Sequence, residues 1–544
     1  MSKEIVIEIK NIGIIFLLII LLIFFAMELQ VMLTSPIVFG DEGIHAKLGK
    51  YLGEEKDFAV WKPMVGTNVE KQGYTMTPLW HLLQGGFYLI LGFHEVILKF
   101  IVPFISLLTG IVSFVLVKRI YNNEVLAIIS SIILVTFPSF VTYSVLAYTD
   151  ILSVLYLTMF WFTAILAFKT GSKKYILLSI IFSSLAYLTK NTGFFAYGFI
   201  VMIFLYKFLI KKWDFFGFLK KNFIPLSIFV LIILIIPGSW FLRNYYYYKN
   251  PFCTLPYFSK LFSDEGCNIQ DKYVDQYKVD RWAPETGTEM DVYKMGIMNY
   301  LNFAYGNIWL IIFTFTAGLV ILIIKRTDVD FLILLSLVLL IPVFIYSTPR
   351  AENASRYMLG WAPIISVVSA RYFDEVYNFI KKYKKYLGLI IFIILIIFGF
   401  QILQEKLVVM KQVKQFSPLF FEACDWIKKN TDKNIRLGEV IWASHTLYNC
   451  DRAVGGGGPD VTYSNNLTLA LDRLKTQGVT HLFLQKFSIS WTNEKYGERL
   501  PISFIEFLDN NPTHFKKIYE NGPSLEQCRA AGGCDGNILY EVVY

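Results

Sequence analysis

Apolar runs divide most of the chain. They lie near residues 12–33, 76–93, 96–117, 125–146, 151–168, 175–189, 193–210, 223–241, 303–324, 331–347, 358–370 and 387–403. A helix needs about 20 apolar residues to cross the hydrocarbon core, so the pattern predicts a polytopic α-helical membrane protein. After residue 403 the pattern changes. "LFFEACDWIKKN…IRLGEVIW…LTLALDRLKTQGVTHLFLQ" alternates helical and strand-like runs, which predicts a small soluble α/β domain over 404–544. The first run is too long for a signal-peptide core and has no small-residue cleavage site before Asp41. It reads as an uncleaved signal anchor.

Composition agrees with this reading. Hydrophobic residues make up 55% of the 544, charged residues only 17%, and mean hydropathy is +0.50. The net charge of +9 does not require nucleic acid, because Lys and Arg gather on the cytoplasmic loops of membrane proteins. That rule also settles the ambiguous second segment, "MTPLWHLLQGGFYLILGF", which holds Pro78, His81, Gln84 and Gly85-Gly86. If 76–93 crossed the membrane, the basic stretches at 118, 207 and 381 would face outward. If it lies in the outer interface, about eleven spans remain. Lys118, Arg119, Lys169, Lys173, Lys174, Lys211, Lys212, Lys220, Lys221, Lys325, Arg326 and the 381–385 cluster then all face the cytoplasm. The expected topology is N-terminus in, C-terminus out.

The cysteines fit the same choice. Cys253, Cys267, Cys424, Cys450, Cys528 and Cys534 all fall outside the apolar runs and, in this topology, on the outside, where disulfides persist. The short spacings favour Cys253–Cys267 and Cys528–Cys534, leaving Cys424–Cys450. Both N-x-S/T sequons, at Asn353 and Asn466, are also external. The transmembrane part is expected over 1–403, with outer loops at 34–95 and 242–302. "GGGG" at 455–458 reads as a flexible turn rather than a phosphate cradle.

Asp41, Glu42, His45, Asp150, Lys190, Arg243, Arg350 and Arg356 collect at the outer ends of spans in this topology. Charge beside hydrocarbon is costly and usually has a topological or chemical role. Cations there suit a phosphate or diphosphate, and a carboxylate suits removal of a proton from a hydroxyl. Each residue also has a plainer reading. Asp41 and Glu42 suit the first turn of a helix running to Leu52, Asp150 suits an N-cap, and the cations suit snorkelling anchors. His45 shares a helix face with Asp41, a metal pair that lacks a third ligand unless His81 or His94 supplies it. No metal site is predicted.

The order of these pieces resembles the GT-C superfamily of integral-membrane glycosyltransferases, closest to the protein O-mannosyltransferase and aminoarabinose-transferase type. The matching stretches are Asp41-Glu42, "TPLWH" (Thr77 to His81), "AYTD" ending at Asp150, "SLAYLTKN" (Ser184 to Asn191), "PGSWFLRNYYYYKNP" (Pro237 to Pro251) and Arg356-Tyr357. "DEGIH" with "VWKP" also resembles dolichol-pathway glucosyltransferases. Asn191 and Thr77 stand where the family has Gly and Pro, and the "WWDYG" stretch of oligosaccharyltransferases is absent, which argues against glycan transfer to asparagine.

The resemblance, over residues 12–370, implies an inverting transfer. A sugar would move from a polyprenyl- or dolichyl-phosphate carrier to a hydroxyl of a protein, glycan or lipid on the extracytoplasmic side of an archaeal or bacterial cell membrane. It implies Asp41 as base with Glu42 as runner-up, Asp150 orienting the acceptor or a cation, and Lys190, Arg243 and Arg356 on the donor phosphate. His45 and His81 would orient. No cofactor is predicted, although the superfamily admits a divalent metal ion. Partners are the lipid donor, the acceptor and the bilayer, with no nucleic acid. The alternative is a transporter or lipid-linked-sugar flippase, which predicts ionisable groups deep in the spans.

Overall fold

The computed structural model describes residues 3–55, 76–209, 217, 220, 223–252, 255, 309–325, 327–340, 356–357, 359–383, 387–439, 443–457, 466–476, 478–490 and 500–544. Cys253, Cys267, Arg350 and Asn353 lie outside them.

The apolar runs fold as helices. In order these are α1 (Lys3–Thr34), α2 (Glu42–Glu55), α3 (Leu79–Leu91), α4 (Glu95–Tyr121), α5 (Glu124–Val135), α6 (Pro138–Tyr143), α7 (Asp150–Thr170), α8 (Lys173–Thr189), α9 (Phe195–Leu209), α10 (Phe223–Tyr248), α11 (Trp309–Lys325), α12 (Asp328–Val338), α13 (Ala362–Tyr383) and α14 (Leu387–Val413). Among the described residues, Gly13–Thr34, Glu95–Tyr121, Asp150–Thr170 and Ile390–Val413 are long and apolar enough to cross a membrane, and several shorter apolar helices accompany them. Ile15, Leu22, Ile90, Phe104, Leu234, Ile324 and Ile397 stay exposed on these helices. Such side chains belong against lipid tails rather than water.

Several boundaries differ from the sequence reading, three of them instructive. The 125–146 run is two helices, because Pro138 has no amide to donate and pushes Phe137 out of the helical region (φ −61°, ψ 125°). α10 continues past residue 241 to Tyr248, so Arg243 lies within a helix rather than opening a loop. α14 runs to Val413, ten residues beyond the last hydrophobic stretch.

α4, α5, α7 and α13 pack around a core that includes Phe160, Trp161, Phe199 and Trp361. The buried indoles are satisfied: Trp161 Nε1 donates to Gly360 O at 3.1 Å and Trp361 Nε1 to Ser336 O at 3.1 Å. Glu28, inside the first apolar run, is buried and accepts from Ser144 Oγ at 2.8 Å and Ser106 Oγ at 3.2 Å. Beyond the far end of α4 lies a closed polar cluster. Arg371 Nη2 is 3.6 Å from Asp330 and its Nη1 3.9 Å from Asp374, while Tyr121 Oη donates to Asp330 at 3.0 Å and Asn123 Nδ2 to Asp374 at 2.9 Å.

The C-terminal part combines helices with a β-sheet. It contains α15 (Pro418–Asn430), β1 (Arg436–Glu439), α16 (Ala443–Asn449), β2 (Ala453–Gly457), α17 (Leu467–Thr476), β3 (His481–Gln485), the short pair β4 (Ile489–Ser490) and β5 (Leu500–Pro501), α18 (Ile502–Asp509), β6 (Phe515–Asn521), α19 (Leu525–Ala530) and β7 (Asn537–Val542). The main sheet has the order β2-β1-β3-β7-β6, with β1 parallel to β2 and β3, and β7 antiparallel to β3 and β6. Gly455 to Gly457 are not a turn: they belong to edge strand β2, paired with β1. Disulfides join Cys424 to Cys450 and Cys528 to Cys534.

Candidate active site

The chain leaves α1 and turns sharply over 36–41 before α2 begins. Gly40 adopts φ 48°, and a side chain there would run into the Tyr148 hydroxyl. That hydroxyl holds the turn from both sides, accepting from Asp41 N at 2.9 Å and donating to Phe39 O at 3.0 Å. Tyr148 stands two residues before Asp150, so one short segment carries a brace for Asp41 and a second carboxylate.

Four of the charged residues singled out from sequence meet here. Arg356 Nη1 contacts Asp41 Oδ2 at 3.1 Å and its Nε contacts Asp150 Oδ2 at 2.9 Å. Lys190 binds the other oxygen of Asp150 and donates to Arg356 O at 3.3 Å. The Arg356 guanidinium lies 4.4 Å over the Tyr148 ring, a cation–π contact that fixes its plane. Negative and positive groups therefore alternate: Asp41, Arg356, Asp150, Lys190. Exposure separates the two acids. The Asp41 side chain is 49% exposed and that of Asp150 only 1%. Asp150 sits between the cations, where it can hold them; Asp41 can meet an incoming molecule.

Glu42 has a different environment although it is the next residue. Its side chain is fully buried, pairs with Lys414 Nζ at 3.0 Å, and accepts the amides of Phe39 at 3.0 Å and Ala147 at 2.9 Å. A carboxylate with these partners is a tie between segments.

His45 and His81 stack with ring centres 5.0 Å apart, and His45 Nδ1 lies 2.8 Å from His81 Nε2. A hydrogen bond between the two rings joins α2 to α3. Burial, reinforced by the Arg356 charge, pushes His45 down to about 3. The rest of "TPLWH" does similar work: Thr77 Oγ1 donates to Thr189 O at 2.8 Å and Trp80 Nε1 to Ala147 O at 3.3 Å. The stretch thus braces the segments that carry Lys190 and Asp150. Among the described residues, no group of three His, Cys, Asp or Glu side chains could hold a metal ion.

Arg243 lies against the Trp240 ring at 4.7 Å, and its Nη1 donates to Asn244 Oδ1 at 3.1 Å. The C-terminal part of the chain also reaches the site. His445 on α16 is buried, its pKa pushed down to about 4 by burial, with the Asp41 charge acting in opposition. Sequence reading missed Tyr148, Lys414 and His445. "AYTD" does contain Tyr148, but Lys414 and His445 lie in a different domain with no local signal.

Residues 75–247 match the family described as dolichyl-phosphate-mannose-protein mannosyltransferase, a segment that carries Asp150, Lys190 and Arg243 but not Asp41 or Arg356. No curated protein sequence matches the chain significantly. Solved structures match across its length. The apo oligosaccharyltransferase of Archaeoglobus fulgidus gives a TM-score of 0.62 at 12% identity, covering 95% of this chain and 81% of that one. ArnT from Cupriavidus metallidurans bound to undecaprenyl phosphate gives 0.61 at 11% identity, covering 97% and 98%. The arabinofuranosyltransferase AftD from Mycobacteria gives 0.55 at 11% identity, covering 96% and 40%. The family match thus covers one segment of the chain, and the oligosaccharyltransferase, ArnT and AftD structures share its overall fold.

Proposed function

We propose that the protein moves a sugar from a polyprenyl- or dolichyl-phosphate carrier to a hydroxyl acceptor, inverting the anomeric centre, at the outer face of the membrane. The observation that carries this reading is the alternating string of Asp41, Arg356, Asp150 and Lys190, in which only the terminal carboxylate is open. Asp41 takes the proton from the acceptor hydroxyl as its oxygen bonds to the anomeric carbon. The carbon–oxygen bond to the phosphate breaks through an oxocarbenium-like state. The polyprenyl phosphate leaves with the electron pair, and Arg356 and Lys190 stabilise its charge. Asp150 keeps those cations aimed, while His45 and His81 hold α2. Arg243 is a further candidate for the phosphate, supported by the family resemblance.

The donor class draws support from similar proteins. One A. fulgidus structure carries an inhibitory peptide and a dolichol-phosphate, and the C. metallidurans structure carries undecaprenyl phosphate. The outward orientation rests on the basic cytoplasmic loops of an eleven-span topology.

The test is transfer by purified protein in lipid, using a panel of radiolabelled polyprenyl-phosphate sugars and mixed hydroxyl acceptors. The expected outcome is one preferred donor and a product of inverted configuration. A folded preparation that moves no sugar, but carries lipid-linked sugars across a vesicle membrane, would establish the flippase alternative instead.

A further inference from the structure

We propose that Lys414 is a positioning residue for Asp41, acting through Glu42, so that the C-terminal domain helps set the geometry of proton removal. The inference rests on the reading of Asp41 as base. Lys414 is the first residue after α14, and its side chain is fully buried. Lysine is almost never so buried unless paired. Here Nζ donates to Glu42 Oε1 at 3.0 Å and to Val145 O at 3.1 Å, and lies 3.8 Å from Met32 Sδ. Glu42 in turn binds the amides of Phe39 and Ala147. One ion pair therefore joins four pieces: the end of α1, the 36–41 turn, the segment before Asp150, and the entry to the soluble domain.

The pair lies one residue from Asp41 and on the same short segment as Tyr148, which holds the Asp41 amide. Movement of Glu42 would displace both. Nearby contacts dock the domain on α2, on the start of α4 and on the turn after α1. Asp451 pairs with Lys47 and Lys50, Tyr448 Oη donates to Glu95 at 3.2 Å, and Asn449 Nδ2 donates to Ile37 O at 3.2 Å. An apolar pair of similar volume would serve stability as well as a buried ion pair. A charged pair with directed hydrogen bonds additionally fixes register.

The test compares wild type, Asp41→Asn and the double variant Glu42→Gln/Lys414→Met in lipid, measuring melting temperature, donor affinity, kcat and KM. Lys414→Met alone leaves Glu42 buried and unpaired and is expected to unfold readily, so the double variant is the informative one. It should melt somewhat below wild type, because a side-chain amide cannot accept both the Phe39 and Ala147 amides, yet stay folded and bind donor within about twofold, with kcat lowered on the order of 100-fold, the effect of misplacing a reacting group by about 1 Å. Wild-type kcat in the double variant, with Asp41→Asn inactive, overturns the role of Lys414 alone. A parallel loss of donor affinity overturns it too, since that marks general collapse. Full activity of Asp41→Asn overturns the base assignment and the positioning role with it.

Discussion

Among the described residues two buried clusters of Asp and Arg stand near opposite ends of the helical bundle, and they differ in one respect. In the cluster beyond the end of α4, Asp330 and Asp374 are closed in by Arg371, Tyr121 and Asn123, and both carboxylates are almost wholly buried. At the other end, Asp150 is equally enclosed by Arg356 and Lys190, but the string continues to Asp41, which is half exposed. Burial and pairing of charge are common to both and so do not mark a reaction centre. An open carboxylate attached to a preorganised set of cations is what the proposed transfer requires.

The same contrast recurs between neighbours. Asp41 and Glu42 are indistinguishable as letters, yet one faces solvent and the other is sealed by Lys414. The turn at Gly40 and the start of α2 send the two side chains in different directions.

Apart from loss of Asp41 itself, the largest effect that would sharpen the comparison should come from Arg356→Gln. It leaves Asp150 with only Lys190 and removes one cation from the leaving phosphate, so transfer should fall by roughly 100- to 1,000-fold, the scale for losing one preorganised charge-stabilising group. Donor affinity measured by filter binding should fall with it; unchanged affinity and rate would disconnect the string from the phosphate. Next comes Asp374→Asn in the closed cluster. Thermal unfolding in detergent should show a loss of about 1–3 kcal/mol, since a buried partner is weakened, with turnover per folded molecule unchanged. A turnover loss there would erase the distinction between the clusters.

The smallest effect is on pH. His45 is depressed to about 3 and His445 to about 4, each chiefly by burial. Unfolded histidine takes up a proton near 6.5. The unfolded chain therefore binds more protons below that pH, and stability is complete above about 6.5 and declines as pH falls towards 4. Denaturation midpoints between pH 7 and 4.5 should show this slope, and His445→Gln should flatten it in part. A midpoint that rises on acidification would contradict the buried, neutral histidines.

Much of this arrangement was legible in the sequence. Apolar run length gave the helices, because lipid imposes a length on them. The topology expected from the basic loops put Asp41, Asp150, Lys190 and Arg356 on one level, and these four side chains do meet in the structure. Less was legible where the deciding contact is remote. Glu42 looked like a second base because its partner, Lys414, lies 372 positions away. The break at Pro138 was missed because residues on both sides are equally apolar. Gly455 to Gly457 read as a turn because strand pairing with β1 leaves no mark on a glycine run. The Cys528–Cys534 pair was readable from its spacing, whereas Cys424–Cys450 emerged only by elimination.

The most direct measurement is a single-turnover transfer rate with labelled donor already bound, wild type beside Asp41→Asn. If the open carboxylate removes the acceptor's proton, the variant should bind donor as tightly as wild type and transfer roughly 100- to 10,000-fold more slowly, the usual contribution of a positioned base. Transfer at the wild-type rate from equally occupied enzyme would show that Asp41 is only the end of an ion-pair string.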